Sequence, residues 1–180
     1  MQWADLADTK GATYGVSILN DCKYGYDAQP SQLRLTLLRS PNWPDPGCDR
    51  GHHQFTYAIY PHAETWQTAH TTHKGYELNR PLQAFISSNQ RKHGLPSQKQ
   101  FLTLGADNLV LMALKMSEED PHQWVLRCYE CHGQGATTAI NNNLKLNFSQ
   151  TDNLLEKETK QDNSSEVQPW KIHTWMCSTK

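Results

Sequence analysis

The sequence predicts a mainly β protein: an antiparallel β-sandwich with one short helix. Three observations lead there. At least seven stretches are β-branched, aromatic or alternate apolar with polar residues. Clusters of Pro, Gly, Asn and Asp separate them. One stretch alone has apolar residues at helical spacing. At about 150 residues per domain, 180 residues suggest a single domain, so 1–180 is read as one sandwich.

The elements follow in chain order. Thr13–Leu19 (TYGVSIL) is β-branched and aromatic. Gln32–Arg39 sets Leu33, Leu35 and Leu37 against Arg34 and Thr36, a period of two. Pro41–Gly51 holds three Pro and two Gly and is a loop. Gln54–Tyr60 alternates Phe55, Tyr57 and Ile59 and stops at Pro61. Glu64–Asn79 is the helix, with Trp66, Ala69 and His73 or Tyr76 on one face and Arg80-Pro81 ending it. Ser87–Gln100 is polar and read as a mobile loop. Asn108–Met116 and Gln123–Tyr129 are two strands joined by a Ser-Glu-Glu-Asp-Pro turn. Leu144–Phe148 alternates again, Asn153–Glu166 is polar, and Ile172–Met176 is the last strand.

Lys plus Arg number 17 and Asp plus Glu 18, a net charge of -1. That balance opposes nucleic-acid binding through a basic patch, and Arg91-Lys92 stands isolated. Mean hydropathy is -0.76 and no apolar run reaches about 18 residues, so no membrane span is expected. The start, Met1-Gln2-Trp3-Ala4-Asp5, lacks the basic and apolar regions of a signal peptide. Five Cys, an odd and irregular set, suggest free thiols in a reducing compartment, hence the cytoplasm.

Catalytic motifs are sparse. Cys128-Tyr-Glu-Cys131-His132 has the spacing of half a zinc site, but zinc needs four ligands, and residues three apart on a strand face opposite ways. Packing cysteines are the expectation, with a zinc-stabilised structural domain as a weak third reading. Nothing local marks one of the five thiols as an activated nucleophile. Gly133-Gln-Gly135 lacks the third glycine and helix of a dinucleotide site. Two stretches stand out as loop-borne chemistry: Asn20–Asp27 (NDCKYGYD) and Asp49–Phe55 (DRGHHQF).

The same stretches carry a family pattern. It runs through Trp3-Ala-Asp-Leu6, Gly15–Asp27, Leu33–Pro41, Pro44-Asp45-Pro46, Asp49–His62, Leu126–Gly133 and Pro169–Trp175. Together these closely resemble the C-terminal β region of glycoside hydrolase family 38 α-mannosidases, best the cytosolic and vacuolar branch and its bacterial relatives. Gln54 replaces the Glu usual in that branch, and Cys128 and Cys131 replace apolar or small residues.

The resemblance implies a sandwich of the galactose-mutarotase-like, family 38 C-terminal supersandwich type. It implies a retaining α-mannosidase whose zinc ligands and Asp nucleophile lie in an N-terminal catalytic domain. Such hydrolysis needs two carboxyl groups about 5 Å apart, and no pair here matches the family's. The chain is therefore expected to be a C-terminal fragment: without catalytic or metal residues, inactive alone, partnered by the catalytic domain and an α-mannoside, and prone to self-association. In the family an Arg-bearing loop approaches the cleft. The matching positions are Arg39 and Asp49, Arg50, His52 and His53, with Asp21, Lys23 and Tyr24 on a neighbouring loop. Either Arg could bind sugar hydroxyls or pair with Asp45 or Asp49. The rival reading is an autonomous carbohydrate-binding module that stacks sugars on Trp43, Trp66, Tyr24 or Tyr26.

Overall fold

The structure, a computed structural model, describes residues 2–8, 13–86, 96–157 and 165–179. Contacts divide the chain into two compact units, Met1–Phe85 and Ile86–Lys180, each described by itself. Among the described residues the architecture is antiparallel β with one helix, as the sequence predicts.

Unit 1 contains β1 (Trp3–Ala7), β2 (Tyr14–Asn20), β3 (Tyr26–Gln29), β4 (Gln32–Leu35), β5 (Tyr57–Ala63) and α1 (Thr71–Asn79). β1, β2 and β5 form an antiparallel sheet in that order, and β3 and β4 form a hairpin. α1 covers one sheet face through polar ties. Ser17 Oγ lies 3.0 Å from Thr71 Oγ1 and donates to Asp5 Oδ1 at 2.6 Å. His62 Nε2 sits 2.7 Å from the same carboxylate oxygen, so that nitrogen carries the hydrogen. Tyr60 donates its hydroxyl to Ala69 O, and the Asn79 amide donates to Asn20 O. Gly15 must be glycine, because a Cβ there would stand 2.5 Å from the His62 ring.

The helix is half the predicted length. Glu64 (φ 58°) and His70 (φ 52°) adopt left-handed backbone, so Thr65–His70 is a turn and α1 begins at Thr71. Strand positions also shift. The predicted 32–39 strand stops at Leu35, where its partner β3 runs out at Tyr26. The predicted 54–60 strand becomes Tyr57–Ala63.

Unit 2 contains β6 (Leu102–Thr103), β7 (Leu109–Met116), β8 (Gln123–Glu130), β9 (Ala136–Thr137), β10 (Asn141–Asn142), β11 (Leu146–Asp152), β12 (Glu166–Val167) and β13 (Ile172–Thr179). A four-stranded sheet runs β11–β13–β8–β7, and two short ladders pair β6 with β10 and β9 with β12. Leu109, Leu126, Cys128, Trp175 and Cys177 of the large sheet share one core with Val167 of the β9–β12 ladder and Leu104, which follows β6. That is sandwich packing. Most of the predicted 87–100 loop (87–95) lies outside the described residues; 96–100 contain no helix or strand.

The thiols of Cys128 and Cys177 are buried, and burial pushes each up to about 12. They pack as small apolar groups. Among the described residues no three His, Cys, Asp or Glu side chains gather as a metal site. Among the described residues no helix is long and apolar enough to cross a membrane.

Candidate functional site

Two loops meet at one end of the unit 1 sheet. The first, Asp21–Gly25, leaves β2; the second, 36–56, leaves β4 and enters β5. Strand pairing brings them together, since Asn20 stands opposite Tyr57. Beyond that pair, Asp21 N donates to Thr56 O at 3.1 Å and Thr56 N donates back to Asp21 Oδ2 at 2.9 Å. Thr36 N donates to Gly25 O, closing the other side.

Asn20 organises the first loop. Buried at the strand end, it accepts from Lys23 N and donates its amide to the Tyr26 hydroxyl. The Lys23 ammonium lies 4.7 Å from the centre of the Phe55 ring, a cation–π contact between the loops. The Cys22 thiol bonds the Asp21 carboxylate; that bond, then the Thr56 N–H, holds Asp21 below the ordinary carboxylate range. The same bond raises the Cys22 pKa, which keeps Cys22 a thiol and makes it a poor nucleophile.

Asp49 organises the second loop. Its Oδ2 accepts Ser40 N at 2.7 Å, and its carbonyl lies 2.9 Å from His53 Nε2. Asp45 is turned on its own loop, accepting Gly47 N at 2.8 Å. Neither Asp pairs with arginine. Among the described residues no ion pair involves Arg39 or Arg50; Arg34 instead pairs with Asp27 across the hairpin. The expected Arg–Asp alternative is thus replaced by backbone bonds, which satisfy the carboxylates and leave Arg39, Arg50 and His52 exposed.

The structure therefore joins Asp21 and Lys23 to Phe55-Thr56, and Asp49 to His53, in one loop cluster. It shows Tyr24 exposed, with no tie to the others. Sequence reasoning missed Asn20 and Thr56 as the residues that hold the loops; an Asn closing a strand before Asp-Cys was the available signal. Of the four stacking candidates, Trp43 and Tyr24 are exposed. Trp66 packs on Trp3 at 5.0 Å between ring centres, and Tyr26 is half-buried against Asn20.

Such a cluster offers guanidinium, imidazole and hydroxyl groups to a polyhydroxy ligand. Its carboxylates are engaged by N–H donors and held ionised in the case of Asp21, so they suit hydrogen-bond acceptance, not acid catalysis. The zinc implied by the family resemblance has no fitting ligand set among the described residues.

Comparison with known proteins places this geometry. Residues 1–47 match the family model "Glycosyl hydrolases family 38 C-terminal domain", and residues 108–175 match "Glycosyl hydrolases family 38 C-terminal beta sandwich domain". The chain is 32% identical over 184 residues to α-mannosidase G of Dictyostelium discoideum, covering 97% of this chain and 16% of that protein. It is 34% identical over 158 residues to α-mannosidase 2C1 of Homo sapiens, covering 87% of this chain and 15% of that one. A crystal structure of an α-mannosidase from Enterococcus faecalis V583 shares the fold, with a TM-score of 0.79 at 19% identity over 98% of this chain and 20% of that one. The chain thus spans only 15–16% of these relatives' length. Two matched models, one on the sheet-and-hairpin segment of unit 1 and one on the sandwich of unit 2, make the chain a member of glycoside hydrolase family 38, from its C-terminal β region.

Proposed function

We propose that this chain serves as the C-terminal domain of a retaining α-mannosidase, packs on that enzyme's catalytic domain, and lines its cleft with the Asp21–Gly25 and 36–56 loops. The observation that supports this best is the pair of exposed guanidiniums, Arg39 and Arg50, on loops pinned by backbone bonds, in a chain 32–34% identical to α-mannosidases. A guanidinium with no carboxylate partner can donate to sugar hydroxyls. Asp21, Lys23, Asp49, His52 and His53 shape and flank that surface, with Tyr24 beside them. The nucleophile, the second carboxyl and the zinc belong to the catalytic domain, so the chain alone is inactive. Its exposed Cys22 and Cys48 thiols suit a reducing cytoplasm.

The test uses a graft: this chain replaces the matching stretch of α-mannosidase G from Dictyostelium discoideum. Arg39→Ala and Arg50→Ala in the graft are expected to raise KM for an aryl α-mannoside about tenfold, as loss of a charged hydrogen bond does. The melting temperature should hold. Unaltered KM in both variants rejects the cleft role.

A second reading, a carbohydrate-binding module, is favoured by the exposed Trp43 and Tyr24 rings. Calorimetry of the isolated chain with mannobiose separates the two. Millimolar binding lost in Trp43→Ala supports the module, and no heat supports the enzyme-bound domain.

A further inference from the structure

The unit 1 sheet carries apolar residues on both faces, and one of those faces is open. An antiparallel sheet covered on one face normally buries its apolar residues there and wets the other. Here the face covered by α1 buries Leu19 and packs Trp3 against Gly75, and it also carries the polar Asp5, Ser17 and His62. The opposite face carries Leu6, Val16, Ile18 and Ile59, aligned by register: Leu6 beside Val16, and Ile18 beside Ile59. Tyr14, Tyr57 and Ile59 on that face are 65%, 52% and 68% exposed. Pro30, Ser31 and Leu33 of the hairpin join it to wall an open groove of about 560 Å³. Among the described residues, Asp8 is the only charged one that lines it.

A face this apolar is built for burial. Its lining offers almost no charge to attract a charged ligand, so its occupant must be apolar as well. The relatives have the chain length to supply it, because this chain spans 16% of α-mannosidase G and 20% of the Enterococcus faecalis enzyme chain. Four of the five unit 1 strands fall within residues 1–47, the segment matched by the family's C-terminal domain model.

We propose that the open face of the β1–β2–β5 sheet, with the β3–β4 hairpin at its side, is the docking surface for an apolar surface of the α-mannosidase body outside the matched stretch. This deepens the α-mannosidase reading, on which it rests, by assigning the contact to one face. The α1 side and the cleft loops remain free for other roles.

The same graft tests it, with Ile59→Lys and, as a second variant, Tyr14→Lys. Both residues are exposed, so the isolated chain should keep its circular dichroism and its melting temperature. In the graft each lysine should be buried against the body and lower the melting temperature by about 5 °C or more. Grafts as stable as the unsubstituted one overturn the assignment. If the isolated chain is then a dimer that Ile59→Lys makes monomeric, the occupant is a second copy. An equal loss of stability in the isolated chain also overturns it, since this chain would then cover its own face. An unsubstituted graft that fails to fold rejects the parent reading itself, whereas a folded graft indifferent to lysine rejects only the docking face.

Discussion

Glu130 ends β8 buried, yet it stays an anion. Burial alone would raise its pKa, but N–H groups of Trp170, His132 and Gly133 and the Asn108 amide converge on it, and together they hold it below the ordinary 4.5. It thereby ties the start of β7 and the approach to β13 to the turn after β8. Gly133 completes that turn with φ 76°, and a Cβ there would meet the Trp170 indole at 2.5 Å. His173 behaves oppositely. Its ring stacks on Trp175 at 4.2 Å, its Nε2 is buried without a hydrogen-bond partner, and burial lowers its pKa below 6.5. Both folded pKa values lie below their unfolded ones, so the unfolded state binds more protons as the pH falls. The His173 contribution is complete above pH 6.5 and lost below it; the Glu130 contribution is complete above 4.5 and lost as pH falls through its folded pKa. Melting temperature against pH should therefore drop in two stages, with His173→Phe removing the first and Glu130→Gln flattening the second while lowering stability at pH 7. An unchanged pH profile in both variants contradicts these roles. None of this was visible in the run Cys128-Tyr-Glu-Cys131-His132: its spacing draws attention to the thiols, while the Glu130 partners arrive from positions 108 and 170.

At the scale of elements, periodicity located strands well and faces badly. Tyr14–Asn20, Leu109–Met116 and Gln123–Glu130 fall within a residue of their expected bounds, because each has a continuous β-branched or alternating run. β1 was missed: WADLA is short, and its Asp5 reads as a surface residue although it is buried under α1. The alternation of Tyr57 and Ile59 was legible, but a period of two says only that two faces exist. Packing against α1 combines Trp3 with a polar set, Asp5, Ser17, His62 and Thr71, whose members satisfy one another. The Asp5 carboxylate is the centre of that set. Asp5→Ala strands Ser17 and His62 without their acceptor and should cost unit 1 about 2–4 kcal/mol. Denaturant unfolding followed by Trp3 and Trp66 fluorescence reads it, and a change below about 0.5 kcal/mol would contradict the polar anchor.

The whole molecule was the most legible level for family and the least for its site. Long motifs in order, from Trp3-Ala-Asp-Leu6 to Pro169–Trp175, survive shifts of strand ends, which is why the family reading and the matched models agree. The expected single domain and the two contact units concern different things: sequence length suggests the first, contact density the second. Site residues depend on loop geometry, which spacing does not encode: the stretches Asn20–Asp27 and Asp49–Phe55 stood out by composition, but the holding roles of Asn20 and Thr56 did not, and Arg39 came only through resemblance. On the function proposed above, this chain completes a mannoside-cleaving enzyme whose attacking carboxylate and metal lie elsewhere. Aryl α-mannoside hydrolysis, assayed with zinc for the isolated chain beside the graft, decides it. The isolated chain should give a blank and the graft should turn over. Zinc-dependent mannose release by the chain alone, or a folded graft without turnover, would contradict it.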